Sequence, residues 1–118
     1  MKIDRTKVYN KYNHHCAYCG KVLVSIKDMQ VDHIVSKLQH KFIPKWKKFP
    51  IDDISNLNPS CRSCNHYKRA SSLEEFRNNL VGKLHDRLAK LYTVKVGIDY
   101  EIVALKPWDK KFYFERER

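Results

Sequence analysis

The spacing of apolar residues changes period several times along the chain, and each change marks an element. Val8, Tyr9 and Tyr12 fall on one face of a short helix expected within residues 1–15. Gly20 closes a tight turn after Cys19, and the stretches 22–24 and 30–35 predict two short β segments, the second carrying Asp32 and His33. From Ser36 to Asp53 no period holds and two prolines interrupt, which predicts a long loop, a feature usually functional or disordered in small domains. Residues 54–60 return the chain to a second cysteine pair, and a helix is expected to begin just after Cys64, at Asn65. Ser72-Leu-Glu-Glu75 fits a capping box, and Leu73, Phe76, Leu80, Leu84, Leu88 and Leu91 then recur at helical spacing through Tyr92, the mark of a packing helix. Residues 93–105 are β-branched and partly alternating, a predicted C-terminal β segment; Phe112, Tyr113 and Phe114 either pair with it or cross onto the core.

The fold class is therefore α+β, with one domain over residues 1–118: a core at about 9–70, a helix at 72–92 and a β-rich tail at 93–118. A chain of 118 residues buries a modest fraction of its surface, so a metal staple would help it fold. The four cysteines can supply one. They fall as Cys16-x2-Cys19 and Cys61-x2-Cys64, a zinc-ligand spacing rather than a disulfide one. Four thiolates leave no open coordination position for water, so this site reads as structural Zn2+.

Residues 1–8 hold no apolar run of the secretory kind and no stretch is long enough to span a bilayer, so a reducing cytoplasm is the expected setting and no membrane partner is expected. The net charge of +11, from 24 Lys and Arg against 13 Asp and Glu, calls for a polyanionic partner rather than a small-molecule substrate. Acidic lipid is the weaker choice without an amphipathic anchor.

In order, Cys-Ala-Tyr-Cys-Gly, Val-Asp-His-Ile-Val, Ser-Asn-Leu and Cys-Arg-Ser-Cys-Asn-His-Tyr-Lys resemble the motif of the HNH endonucleases over roughly residues 9–70. The resemblance implies a ββα-metal core and a DNA phosphodiester as substrate. By it His33 is the general base, a role that an imidazole titrating near neutrality suits independently. It makes Asp32 a ligand of a catalytic divalent cation, Mg2+ or Mn2+ for a hard carboxylate, with Ni2+ or Zn2+ as alternatives. Adjacent strand residues face opposite ways, so Asp32 and His33 reach one phosphate only if the backbone twists or bulges.

The middle Asn of the motif maps to Asn56, which in the family holds the loop and orients the base, with Asn58 a weaker candidate. The last motif position is Asn65, where many members have His, and His66 follows it. Only one of the two can face the metal if the helix has begun, and motif register favours Asn65 as the second ligand. Lys68, three residues on, matches the family's basic position and either holds a phosphate oxygen or is an ordinary solvated lysine. In the loop, Lys45, Lys47 and Lys48, with Lys41, are interleaved with Phe42, Trp46 and Phe49; together with Arg69 they are candidates for tracking the DNA backbone. The opposing reading tucks Trp46 onto the core.

Compact HNH proteins are common in bacteriophages and often linked to terminase, so the resemblance also implies phage terminase subunits as partners and the host cytoplasm as setting. The competing function is a non-catalytic zinc module that binds nucleic acid by charge. A RING-like interaction domain would need ligands for two zincs, which four cysteines do not supply.

Overall fold

The computed structural model describes residues 2–116. Helix α1 (Arg5–Asn10) starts where Asp4 accepts from the backbone N–H groups of Thr6 and Lys7, and its Val8 is fully buried. The chain then turns through the first cysteine pair. Residues 22–24 form no strand: Val22 makes a single bridge to His15, while Leu23 is buried and Val24 points to solvent.

Strands β1 (Gln30–His33) and β2 (Leu57–Ser60) form a two-stranded antiparallel ladder that pairs Asp32 with Asn58 and His33 with Leu57. The register runs without a bulge. Asp32 is accordingly buried and His33 half-buried, as side chains of alternating direction should be. Between the strands, the expected loop holds a short helix α2 (Lys37–Lys41), capped by reciprocal hydrogen bonds between Ser36 and Gln39, and a 3-10 turn at Lys45–Lys47. The pair Ser36 and Gln39 has capping-box spacing, a local signal that the loop reading passed over.

Helix α3 (Arg62–Lys68) begins earlier than expected because Cys61 is its N-cap, its sulfur accepting from the N–H of Cys64. The packing helix is present but irregular. It runs as α4 (Leu73–Glu75), a π-helical segment Phe76–Leu80, a 3-10 turn Val81–Lys83 and α5 (Leu84–Ala89). The break lies at Gly82, where a Cβ would come within 2.7 Å of the Arg77 carbonyl oxygen. Phe76 is core, but Leu88 and Leu91 are exposed, so the apolar stripe packs only along its first half.

The predicted C-terminal β segment is overturned. Residues 92–99 form helix α6 (Tyr92–Asp99), and the N–H groups of Ile102 and Val103 both donate to the Gly97 carbonyl, folding the chain back on itself. Alternation in a sequence becomes a strand only where another strand offers a ladder, and none of the described residues pairs with this stretch. The aromatic run at 112–114 crosses onto the core instead. The N–H groups of Tyr113 and Phe114 donate to the carbonyls of Tyr18 and Ala17, and Phe112 stacks on Phe76 at 5.1 Å with Tyr18 edge-on at 5.2 Å. Arg77 fixes this return by bridging Glu74 and Glu115.

Candidate functional site

Two separated segments converge at the cysteines. Gly20 takes φ +81° in the first knuckle, where a Cβ would also strike the Tyr113 ring at 2.6 Å, so no other residue fits there. The four sulfurs lie within 4.8 Å of one another, and Cys19 and Cys61 are 3.8 Å apart. A tetrahedron with metal–sulfur bonds of about 2.3 Å has an edge of about 3.8 Å, so these thiols could hold a metal ion. Their ionisation points the same way. Cys16 is driven well below the ordinary thiol range by hydrogen bonds from Cys19 and Cys64, and those same bonds raise Cys19 to about 11 and Cys64 further. A bound cation would favour the thiolate form of such crowded sulfurs. The N–H of Cys61 also donates to the Cys16 sulfur, tying the knuckle to the start of α3.

Beside this staple, His33, Asp32, Asn65 and Arg69 line one cleft of about 240 Å³, together with Ser36, Lys37 and Leu38. The helix is already formed at Asn65, so His66 points about 100° away and borders a different depression. His33 Nε2 lies 2.7 Å from Asp52 Oδ1. Asn56 is buried and spends its whole amide on the loop: its oxygen accepts from Val35 N–H at 2.8 Å, and its nitrogen donates to the carbonyls of Val35 and Ile51. Asn58 instead faces the core, fully buried, donating to the Tyr18 hydroxyl and accepting from Lys11 Nζ.

Asp32 sits at the floor of the cleft with both oxygens engaged. Tyr18 donates its hydroxyl proton to one, and Lys68 Nζ approaches the other at 3.3 Å. Burial raises the Asp32 carboxyl above the usual range, against the opposing pull of Lys68 and the Tyr18 hydrogen bond. Lys68 is neither a solvated lysine nor a free hand for phosphate: it is fully buried, and its ammonium also donates to the His33 carbonyl at 3.2 Å. The expected reach to a phosphate oxygen is thus replaced by a grip on the Asp-His pair from beneath.

The loop lysines Lys45, Lys47 and Lys48 are exposed, and Lys47 lies over the Trp46 ring. Trp46 and Phe42 are about four-fifths exposed, so Trp46 is not tucked onto the core. Among the described residues no helix is long and apolar enough to cross a membrane. Sequence reasoning missed Tyr18 and Asp52. Tyr18 stood inside the first knuckle as a spacer, and Asp52 belonged to no motif; only the fold brings each against its partner.

Comparison with known proteins agrees with this geometry. The profile of the family described as HNH endonuclease matches residues 16–71. A prophage-derived protein of Bacillus subtilis (strain 168), YoqL of the SPbeta prophage, provisionally named an HNH endonuclease, is 32% identical over 117 residues. That similarity covers 94% of this chain and 42% of the relative, so the chain spans less than half of the relative's length.

Proposed function

From the match of residues 16–71 to the HNH endonuclease family, we propose that this chain is a metal-dependent DNA endonuclease acting at the cleft of His33. The family implies a nucleic-acid substrate; duplex DNA is our reading, in a prophage setting within the host cytoplasm. The observation that carries it is the shared cleft, lined by an imidazole, a carboxylate and an amide from three motif positions.

His33 takes the proton of the attacking water, which suits a half-buried imidazole whose other nitrogen is already engaged. Asp32 and Asn65 offer oxygen donors that fit Mg2+ or Mn2+, ions that keep several waters and need few protein ligands. Bound there, such a cation would polarise the scissile phosphate and offset charge on the leaving oxygen. Asn56 holds the segment from which His33 is addressed, and Lys68 holds Asp32. The four cysteines take structural Zn2+, as their tetrahedral spacing and full cysteine set favour. Arg69 at the rim and Lys45, Lys47 and Lys48 on the loop bind phosphates.

The test is supercoiled plasmid incubated with zinc-loaded protein, with EDTA or with added Mg2+, Mn2+ or Ni2+, beside His33→Ala of equal zinc content. Cation-dependent nicking or linearisation by the wild type alone is expected. If neither protein cuts with any cation while both retard DNA, the chain is a non-catalytic binding module.

A further inference from the structure

The loop between α2 and β2 looks featureless in sequence but is pinned at several points on its way past His33. The His40 ring bonds the Phe49 carbonyl at 2.7 Å, Asn56 donates to the Ile51 carbonyl at 2.9 Å, and Asp53 caps the turn that follows by accepting from Ser55. Asp52 lies between these anchors, so its carboxylate is delivered to His33 by a fixed backbone rather than by a wandering side chain. We propose that Asp52 is a positioning residue for the nuclease centre, selecting the His33 tautomer and ring orientation through its 2.7 Å contact with Nε2.

The argument is one of hydrogen-bond inventory. An ionised carboxylate only accepts, so the proton of a neutral His33 ring must sit on Nε2. The Asp52 carboxyl is itself held below the usual range, chiefly by this hydrogen bond, which favours its ionised form. The lone pair then resides on Nδ1, which has no hydrogen-bond partner among the described residues. A base needs that lone pair free and aimed. Without Asp52 the ring would divide between two tautomers and two ring flips, and only part of the population would present a basic nitrogen in the right direction. The motif Asn gains a reason as well. By holding residue 51, Asn56 acts on His33 through Asp52 as well as through Val35.

This inference rests on the nuclease reading for its catalytic consequence, but not for its geometry, and the experiment separates the two. Full-length, zinc-loaded protein labelled with 15N-histidine is examined by long-range 1H–15N correlation without DNA, with His33→Ala identifying the resonances of His33 among the six histidines. The wild type should show His33 as the Nε2–H tautomer, and Asp52→Ala a mixture. In plasmid cleavage, Asp52→Ala should lower kcat by at least about 10- to 100-fold, the range for losing the outer partner of a metal-bound imidazole, with KM within about twofold. Asp52→Asn, whose amide accepts from or donates to Nε2 alike, should show the mixed tautomer and the lowered kcat of Asp52→Ala. A wild-type Nδ1–H tautomer, or a tautomer and kcat unchanged in Asp52→Ala, overturns the proposal. If the wild type cuts nothing, the nuclease reading falls and the NMR arm alone decides whether Asp52 sets the ring.

Discussion

Lys68→Met is the substitution with the largest consequence that its sequence context conceals. The methionine keeps most of the apolar stem and removes the ammonium, leaving Asp32 buried with Tyr18 as its remaining hydrogen-bond donor. Removing one partner of a buried ion pair costs about 3–5 kcal/mol, mainly because the other charge is left uncompensated. An unfolding entropy of about 2.1 cal/mol/K per residue over 118 residues is about 0.25 kcal/mol/K, so Tm should drop by about 12–20 °C. Thermal unfolding of the zinc-loaded protein, without added Mg2+ or Mn2+, measures it. The pH dependence carries a sign. The Asp32 carboxyl already lies above its unfolded value, and loss of Lys68 raises it further, so the folded state prefers the protonated form. The variant's deficit should therefore be smallest below the unfolded value of about 3.9 and should grow as pH rises through the folded one. In the double variant Asp32→Asn/Lys68→Met most of the loss should return, with a coupling energy of about 2–3 kcal/mol. A Lys68→Met protein within about 0.5 kcal/mol of wild type, as a surface lysine would give, refutes the buried-pair reasoning.

Three further outcomes are expected. Metal analysis should find one zinc per chain, and a strong chelator should abolish cooperative unfolding, with Cys61→Ser the most damaging single change because Cys61 also caps α3; an unaltered Tm after zinc removal would sink the staple. Asn56→Ala should cost about 2–4 kcal/mol in urea unfolding, since three hydrogen bonds go and two half-buried backbone groups at Val35 lose their partner; a loss under 1 kcal/mol contradicts its place as the loop's anchor. Trp46→Ala should leave Tm nearly unchanged yet weaken single-stranded DNA binding by about 5- to 150-fold, corresponding to about 1–3 kcal/mol per stacked base. Equal anisotropy titrations for variant and wild type would show the ring to be a bystander.

What the sequence displayed well was chemistry local in the chain. The cysteine pairs and the Ser72 capping box each lie within a few residues, and each took the expected form; the Asp-His dipeptide lies on the expected strand, but in a ladder without the bulge that would turn both side chains to one side. The C-terminal alternation at residues 93–105 failed because a strand is a relation between two segments, and the partner was missing. The same limit hid the polar interior. Lys68, Asp32 and Tyr18 are polar residue types that ordinarily face solvent or half of it, and nothing in their neighbours announces that they meet across intervals of 14 and 36 residues. Asp52 was invisible for a related reason: its role depends on where a loop passes, which no periodicity encodes.

Lys68 also links the helix that starts at the cysteine cluster to the cleft. Cys61 fixes where α3 starts, and at about 100° per residue that start fixes the direction of every side chain on it. Asn65 is thereby turned toward the cleft, His66 away from it, and Lys68, one turn on, falls beneath the cleft wall. There its ammonium bonds the Asp32 side chain and the His33 backbone together, so the residue that stabilises the fold also sets the separation of the carboxylate and the base. A rotation of α3 by one residue would put Arg69 near the position of Lys68 and His66 near that of Asn65, exchanging a compact ammonium for a guanidinium too large for the space. On the proposed nuclease reading, the departure from the commoner His at position 65 is tolerable for the same reason: an amide oxygen suits a hard cation, and the helix phase is set by the Cys61 cap rather than by residue 65 itself.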